Sequence, residues 1–372
     1  MNIKLSSIRL TIGLISLTLF VNCQKDDDLP VNSNLIFEGL DSVVKNQMVS
    51  YNIPGASIAV IRNEKLVYTN SFGYSNKIIN KIATNDDLYR IASISKPITA
   101  IAILKLVEDG LLSLDQKVFG PDGILGDEYG TLPANSNKKL ITVSQLLNHE
   151  SGWTNSPNDP VFSDFNKSLD DLITDMVLHR KLVNPPGSVY YYLNFGYTIL
   201  GRIIEKITKV PYEVYVKSNI LEPCGISKMK IGRNTLADKY PNEVTYYQGS
   251  NSTSNSNPYD YNIVRMDSPA GWIASATDLA RFIVKIDRNP SKPDIISNIL
   301  LNNSFFASSS WYHTGSMSGT SGIINKLDDT LSYVVLFNKR ADHHPDIVED
   351  EFRKAFDKEI LTISKWPNDD LF

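Results

Sequence analysis

Apolar runs with strand character lie near both ends of this chain, and helical patterns fill the stretch between them. Near the N-terminus, Ala56–Ile61 is typical of a buried strand, and a turn at 63–65 joins it to a second run, Leu66–Phe72. Near the C-terminus three further runs follow: Trp311–His313, Ser321–Asn325 and Leu331–Phe337. The pattern predicts one antiparallel sheet built from both ends of the chain, with a helical region inserted.

Helical patterns complete this α+β organisation. They cover Ile36–Met48, Ser93–Glu108, Asp278–Ile286 and His344–Leu361. With 372 residues, 42% of them hydrophobic, the chain can bury a substantial core. We expect an α/β domain formed by 35–110 and 265–372, and a mainly helical domain formed by 111–264.

The N-terminus has the features of an export signal. Lys4 and Arg9 precede a 12-residue apolar run, Leu10–Val21, which is too short to cross about 30 Å of hydrocarbon as a helix. Cys23 follows at once, and the segment resembles a bacterial lipoprotein signal, in which this cysteine is acylated. We therefore expect a signal peptide at 1–22, a lipid on Cys23 and a flexible tether at 23–34. The protein would then be exported and membrane-anchored, periplasmic or at the outer surface. A plain secretory signal is the alternative.

Charge and cysteine content exclude some other classes. The 37 basic and 41 acidic residues give a net charge of -4, and no basic tract suggests a nucleic-acid partner. The only cysteines are Cys23 and Cys224. If Cys23 carries lipid, no disulfide can form within the chain, and we expect Cys224 to be a small buried hydrophobic residue.

A first chemical motif is Ser93-Ile94-Ser95-Lys96. Positions i and i+3 of a helix lie on one face, so Lys96 is expected beside the Ser93 hydroxyl. A lysine whose pKa is lowered by burial can take the proton of a serine and make it a nucleophile. The alternative is that Ser93 is only a helix cap.

A second motif is Tyr192-Leu193-Asn194, which follows a turn and precedes a helix that we expect to start near Gly196. In an extended segment Tyr192 and Asn194 would face the same cleft. A phenol with a lowered pKa could relay the proton between Ser93 and Lys96. Otherwise Tyr192 is a packing residue and Asn194 caps the helix.

A third motif is His313-Thr314-Gly315, at the end of a strand. Gly315 would let a substrate backbone approach the strand edge. The backbone N–H groups of Ser316 and Ser93 would then form an oxyanion hole. The alternative is an ordinary edge strand.

These three motifs, at spacings of 99 and 121 residues, resemble those of the serine β-lactamase and penicillin-binding protein superfamily. The class C β-lactamase-like branch, which includes D-Ala-D-Ala carboxypeptidases, esterases and D-aminopeptidases, is the most similar. Three flanking segments also resemble this family: 111–118, 141–152, and Pro269-Ala270-Gly271-Trp272 with the helix after it. The likeness covers about 35–358.

The resemblance implies a β-lactamase/transpeptidase-like fold and a role for each motif. Ser93 would be the acylated nucleophile, and Lys96 and Tyr192 the acid/base pair. Asn194 would contact a substrate amide, and His313, Thr314 and Gly315 would form a substrate-binding strand. His149, in the segment 141–152, would make a structural hydrogen bond.

One departure from the family limits the expected activity. True class C β-lactamases have a lysine where this chain has His313, and histidine is only partly charged near neutral pH. We therefore expect a serine hydrolase of esters or amides, D-amino-acid peptides among them, and a β-lactamase is the alternative within the family. A catalytically silent surface lipoprotein that binds peptidoglycan is the alternative from another class.

We expect no cofactor and no metal. The five histidines lack the H-E-x-x-H spacing of zinc hydrolases: 149, 179, 313, 343 and 344. The expected partners are a small-molecule or peptide substrate and the membrane, while the sequence leaves the oligomeric state open.

Overall fold

The computed structural model describes residues 36–249, 257–302, 304–341 and 344–372. The expected signal peptide, the tether with Cys23, and His343 lie outside these residues.

The strands of the described ranges form two antiparallel sheets. In chain order the strands are β1 Gly55–Arg62, β2 Lys65–Asn76, β3 Lys81–Ile82, β4 Tyr89–Arg90, β5 Lys230–Ile231, β6 Trp272–Ala274, β7 Trp311–Met317, β8 Thr320–Lys326 and β9 Leu331–Phe337. The larger sheet has the order β3-β2-β1-β9-β8-β7, and the smaller one has the order β4-β6-β5.

The α-helices of the described ranges are, in chain order, α1 Glu38–Ser50, α2 Ser95–Glu108, α3 Val143–Leu147, α4 Leu169–Leu178, α5 Asn194–Thr208, α6 Tyr212–Val216, α7 Asp267–Ala270, α8 Ala276–Val284, α9 Asn298–Asn302 and α10 Pro345–Ile360. None of the helices in these ranges is both long and apolar enough to cross a membrane.

The central strand β1 joins the two ends of the chain. It pairs with β2 on one side and with β9 on the other, and both pairings are antiparallel. Its side chains alternate between two cores, as strand geometry requires. Ile58 and Val60 pack under α1 and α10, while Ala59 and Ile61 face the larger core shared with the helical region. The predicted α+β fold is confirmed.

Element boundaries differ from the predictions where tertiary contacts extend or begin an element. Strand β7 continues to Met317 because its whole length pairs with β8. Helix α2 begins at Ser95, two residues later than predicted, because Ala92–Ile94 form a separate 3-10 turn. The two- and three-residue strands of the smaller sheet were not predicted, since runs this short carry no periodicity.

The nucleophile turn, Ala92–Ile94, lies where the two parts of the chain meet. Strand β7 contacts this turn on one side, and helices α5 and α7 pack against α2 on the other. Residues 111–264 supply α3 to α6 and only the two-residue strand β5 among their described members. The three predicted motifs are thus brought together from the sheet, from α2 and from the helical stretch.

Candidate active site

Ser93 occupies the middle of the nucleophile turn and is half-buried. The residue before it, Ala92, has φ +44°, in the left-handed region that costs a non-glycine residue free energy. The helix that follows has no side-chain cap. Helix capping is therefore ruled out as the role of Ser93, and its hydroxyl faces Lys96 instead.

Lys96 is 1% exposed and lies in the first turn of α2. Its Nζ is 3.1 Å from Oγ of Ser93, 2.6 Å from Oδ1 of Asn194 and 3.0 Å from the carbonyl oxygen of Pro269. Burial lowers the pKa of Lys96 to about 7, and the Asp159 carboxylate opposes part of that change. Near neutral pH a sizeable fraction of Lys96 is therefore an uncharged amine.

The partners of Lys96 determine where the lone pair of that amine points. A neutral amine has two N–H bonds and one lone pair, and a carbonyl oxygen can only accept a hydrogen bond. The Asn194 and Pro269 oxygens take the two N–H groups. The lone pair is left facing the Ser93 hydroxyl, which is the arrangement that a general base needs.

Tyr192 lies beside this pair. The Nζ of Lys96 is 4.8 Å from the centre of the Tyr192 ring. Burial raises the pKa of Tyr192 well above its usual value, and a hydrogen bond with the Ser93 hydroxyl opposes only part of the rise. The expectation of a lowered pKa is wrong, because burial disfavours the phenolate. Tyr192 is a neutral phenol that can donate a proton only while it receives another.

His149 supports the segment that carries Tyr192. The backbone N–H of Leu193 donates to Nδ1 of His149 over 3.1 Å, and the rings of His149 and Tyr192 lie 4.6 Å apart. Burial lowers the pKa of His149 to about 3, with further contributions from Lys96 and His313. The ring is neutral near pH 7, and the predicted structural hydrogen bond is confirmed.

Asn194 is the first residue of α5 and is 7% exposed. Its side chain makes no helix cap; it accepts from Lys96 and donates from Nδ2 to Oδ2 of Asp159 over 2.7 Å. A substrate-amide contact by Asn194 stays a prediction.

His313 and Thr314 stand on β7. Nδ1–H of His313 donates to the carbonyl oxygen of Thr314 over 2.7 Å, which places the proton on Nδ1 because a carbonyl cannot donate. Burial lowers the pKa of His313 to about 4, and Lys96 adds to the effect. His313 is thus neutral near pH 7. It resembles the positively charged lysine of class C β-lactamases even less than an exposed histidine would, because an exposed histidine is partly charged at this pH. Thr314 is half-buried.

Gly315 allows β7 to lie against the nucleophile turn. A Cβ atom at this position would stand 2.0 Å from the carbonyl oxygen of Ile91. The close neighbour of Gly315 is therefore the chain's own backbone, and not the substrate backbone that we expected. This contact brings the segments of Ser93 and Ser316 together, and their oxyanion hole stays a prediction.

Two groups of this site escaped the sequence analysis. The Pro269 carbonyl lies in the family-like segment Pro269-Ala270-Gly271-Trp272, but a backbone oxygen leaves no signal in sequence. Asp159 sits in a loop between the first and second motifs, where a single aspartate is unremarkable. Among the described residues no three His, Cys, Asp or Glu side chains converge as a metal site requires.

Comparisons with known proteins place this chain beside proteins of similar sequence and fold. The chain is 27% identical to protein flp of Staphylococcus aureus strain MRSA252 over 83% of its own length, and it spans 64% of the length of that relative. An octameric penicillin-binding protein homologue from Pyrococcus abyssi superposes with a TM-score of 0.67 at 25% identity, over 88% of this chain and 77% of the other.

The fold also matches the D-amino acid amidase of Ochrobactrum anthropi SV3, with a TM-score of 0.71 at 19% identity, over 88% of this chain and 99% of the other. The family model named Beta-lactamase matches residues 40–301, well over half of the chain. With the motifs, the fold and this match in agreement, the chain belongs to the Beta-lactamase family.

Proposed function

We propose that this protein is a serine hydrolase that forms an acyl-enzyme on Ser93. The observation that carries the proposal is the environment of Lys96. A buried amine with a pKa of about 7 stands 3.1 Å from the Ser93 hydroxyl, and two carbonyl oxygens hold its N–H groups away from that hydroxyl. Lys96 can therefore accept the Ser93 proton near neutral pH.

In the proposed acylation, the proton of Ser93 passes to Lys96, directly or through Tyr192, while Oγ bonds to the substrate carbonyl carbon. The negative charge that forms on the carbonyl oxygen is met by the N–H groups of Ser93 and Ser316. The bond to the leaving group then breaks, and the leaving group takes a proton from Tyr192, which is replenished by Lys96. Water, deprotonated by the same pair, attacks the ester and restores Ser93.

The proposed substrate is an ester or an amide, with D-amino-acid amides and peptides included. The fold shared with a D-amino acid amidase agrees with this class. A β-lactamase activity has less support, since a neutral His313 offers no cation to a substrate carboxylate. A silent peptidoglycan-binding protein is also less well supported, because burying a lysine that has no carboxylate directly against it is costly and binding alone does not require it.

The test is covalent labelling of the purified protein with a fluorophosphonate, followed by hydrolysis assays with p-nitrophenyl acetate, a D-alanyl-D-alanine peptide and nitrocefin. Wild type should be labelled on Ser93, Ser93→Ala should be neither labelled nor active, and the exposed Ser113→Ala should match wild type. Labelling elsewhere, or activity of Ser93→Ala within about tenfold of wild type, would overturn the proposal.

We also propose that the protein is exported and held at the membrane by a lipid on Cys23, on the periplasmic or outer face. The support is the charged start, the short apolar run and the cysteine where the run stops.

A further inference from the structure

Asp159 is a half-buried carboxylate that the proposed chemistry does not use directly. One of its oxygens, Oδ2, accepts from Nδ2 of Asn194 over 2.7 Å. The other accepts from the backbone N–H of Val161 over 2.9 Å, which fixes the carboxylate relative to its own loop. Asp159 is thus one side chain removed from Lys96, and Asn194 is the side chain between them.

The amide of Asn194 can meet its neighbours in two ways. Its oxygen accepts hydrogen bonds, and its nitrogen donates them. An ionised carboxylate only accepts, so Asp159 requires the Asn194 nitrogen on its side. The Asn194 oxygen then faces Lys96, at 2.6 Å.

The reverse orientation would disable the general base. The Asn194 nitrogen would then donate to Lys96, and the lone pair of the neutral amine would turn toward that donor and away from Ser93. The Asn194 oxygen would also face the Oδ2 oxygen of Asp159, and two hydrogen-bond acceptors at this distance repel each other. Asp159 therefore selects the one orientation in which the Lys96 lone pair is free for the Ser93 proton.

The charge of Asp159 also raises the pKa of Lys96, against the larger effect of burial. The other titratable groups around Lys96 are Tyr192, Tyr197, His149 and His313. All four are neutral near pH 7, because burial shifts their pKa values toward the uncharged form. Removal of the Asp159 charge should therefore lower the pKa of Lys96, whereas a simple loss of folded protein would leave that pKa unchanged.

We propose that Asp159 is a positioning residue for acylation, which acts through Asn194 to direct the Lys96 lone pair at Ser93. The inference rests on the proposed roles of Ser93 and Lys96. It adds a fifth side chain to Ser93, Lys96, Tyr192 and Asn194, and this residue lies 66 positions beyond the nucleophile in sequence.

The test compares Asp159→Asn with Asp170→Asn, a control at an exposed carboxylate of the neighbouring helix start. For Asp159→Asn the plateau rate of fluorophosphonate acylation should fall about 10- to 100-fold, because an amide no longer enforces one orientation of Asn194. The rise of that rate with pH should move to lower pH, since a charge that raises the pKa of Lys96 is gone. Asp170→Asn should leave both quantities unchanged.

An exchange variant tests the direction of the hydrogen bond. In Asp159→Asn/Asn194→Asp, the new amide can donate to the new carboxylate, whose other oxygen faces Lys96 and only accepts. The plateau rate should recover by about tenfold over Asp159→Asn, with the rise moved to higher pH because a carboxylate now adjoins Lys96. No recovery would count against the orientation argument.

A readout that does not depend on turnover separates this inference from the proposed function. NMR titration of protein labelled with ¹³C-lysine follows the pKa of Lys96 itself, which should fall in Asp159→Asn. If wild type is labelled on Ser93 but the pKa and the pH profile are the same in both proteins, only the role of Asp159 is overturned. A loss confined to substrates with a free ammonium group would overturn it too, because Asp159 would then be a substrate contact. Absent labelling of wild type would overturn the proposed function.

Discussion

Gly315 on β7 lies directly against the carbonyl oxygen of Ile91, two residues before the nucleophile. A single methyl group at Gly315 would stand 2.0 Å from that oxygen, closer than any real contact allows. The distance between β7 and the nucleophile turn is therefore set by the absence of one carbon atom.

Gly315→Ala should separate β7 from the nucleophile turn and reduce acylation of Ser93 by about 100-fold, since reacting groups tolerate little displacement. Labelling rates per folded molecule, with the folded fraction measured by near-UV circular dichroism, check this. Gly196→Ala is the control, because its Cβ would stand 3.4 Å from the nearest atom. A Gly315→Ala protein that acylates at the wild-type rate would contradict the role given to this contact.

The pH dependence of kcat/KM should show one rise centred near pH 7, because Lys96, with a pKa of about 7, must lose its proton to act as a base. The pKa of Tyr192 is raised, so Tyr192 should cause no decline up to about pH 9. His313, with a pKa of about 4, should not contribute near neutrality. Hydrolysis of p-nitrophenyl acetate from pH 5 to 9, corrected for spontaneous hydrolysis, measures the profile. A rise centred above pH 9 would show that Lys96 is not the base.

The buried Lys96 should also make stability depend on pH. Its pKa is about 7 in the folded protein and 10.5 when exposed, so between these values the unfolded chain binds more protons. Stability then increases with pH across this window, by up to about 1.4 kcal/mol per pH unit from this group alone. In urea unfolding from pH 7 to 10, wild type should gain stability relative to Lys96→Met, whatever their difference at pH 7. A constant difference would mean that Lys96 titrates normally in the fold.

His313→Lys should shift the substrate preference toward anions. A lysine cation in place of a neutral histidine can bind a substrate carboxylate, and one charge-assisted hydrogen bond corresponds to about a tenfold change in affinity. The ratio of kcat/KM for nitrocefin to that for p-nitrophenyl acetate should increase by about that factor. His313→Gln, which is neutral, should leave the ratio within about threefold of wild type. If the ratio increased equally in His313→Lys and His313→Gln, the charge of the lysine could not be the explanation.

Cys23→Ser should release the protein from membranes, because it removes the atom that would carry the lipid. Cell fractionation with detergent phase partitioning measures the release. Cys224→Ser is the matched control: Cys224 is buried, and burial raises the pKa of its thiol to about 12, so its loss should not affect anchoring. Membrane retention of Cys23→Ser would leave the plain secretory signal as the better account.

Sequence alone predicted the parts of this site that lie in short motifs. Ser93 and Lys96 are one helical turn apart, and that spacing survives even though the turn is 3-10 rather than α-helical. Strands β1 and β9 were found because their apolar runs are buried on both faces of the larger sheet. In each case the necessary contacts are local, or are enforced by burial of a continuous run.

Other properties depend on contacts between distant segments. Spacing cannot show how deeply Tyr192 is buried, so the direction of its pKa change was missed. Asp159 gains its role only because its loop folds back over α5, and nothing near it in sequence distinguishes it from other loop aspartates. The left-handed backbone at Ala92 is likewise imposed by the packing of its neighbours, since alanine has no preference for that conformation.

Strand β1 is hydrogen-bonded to β9, so the larger sheet cannot be completed at residues 55–62 until residues 331–337 are available for pairing. During synthesis, a chain that already includes Ser93 and Lys96 therefore still lacks β7, the strand that lies against the nucleophile turn. Bringing together segments this far apart is entropically costly and slow, so the sheet forms late. The serine should consequently become reactive only after nearly the whole chain has been synthesised.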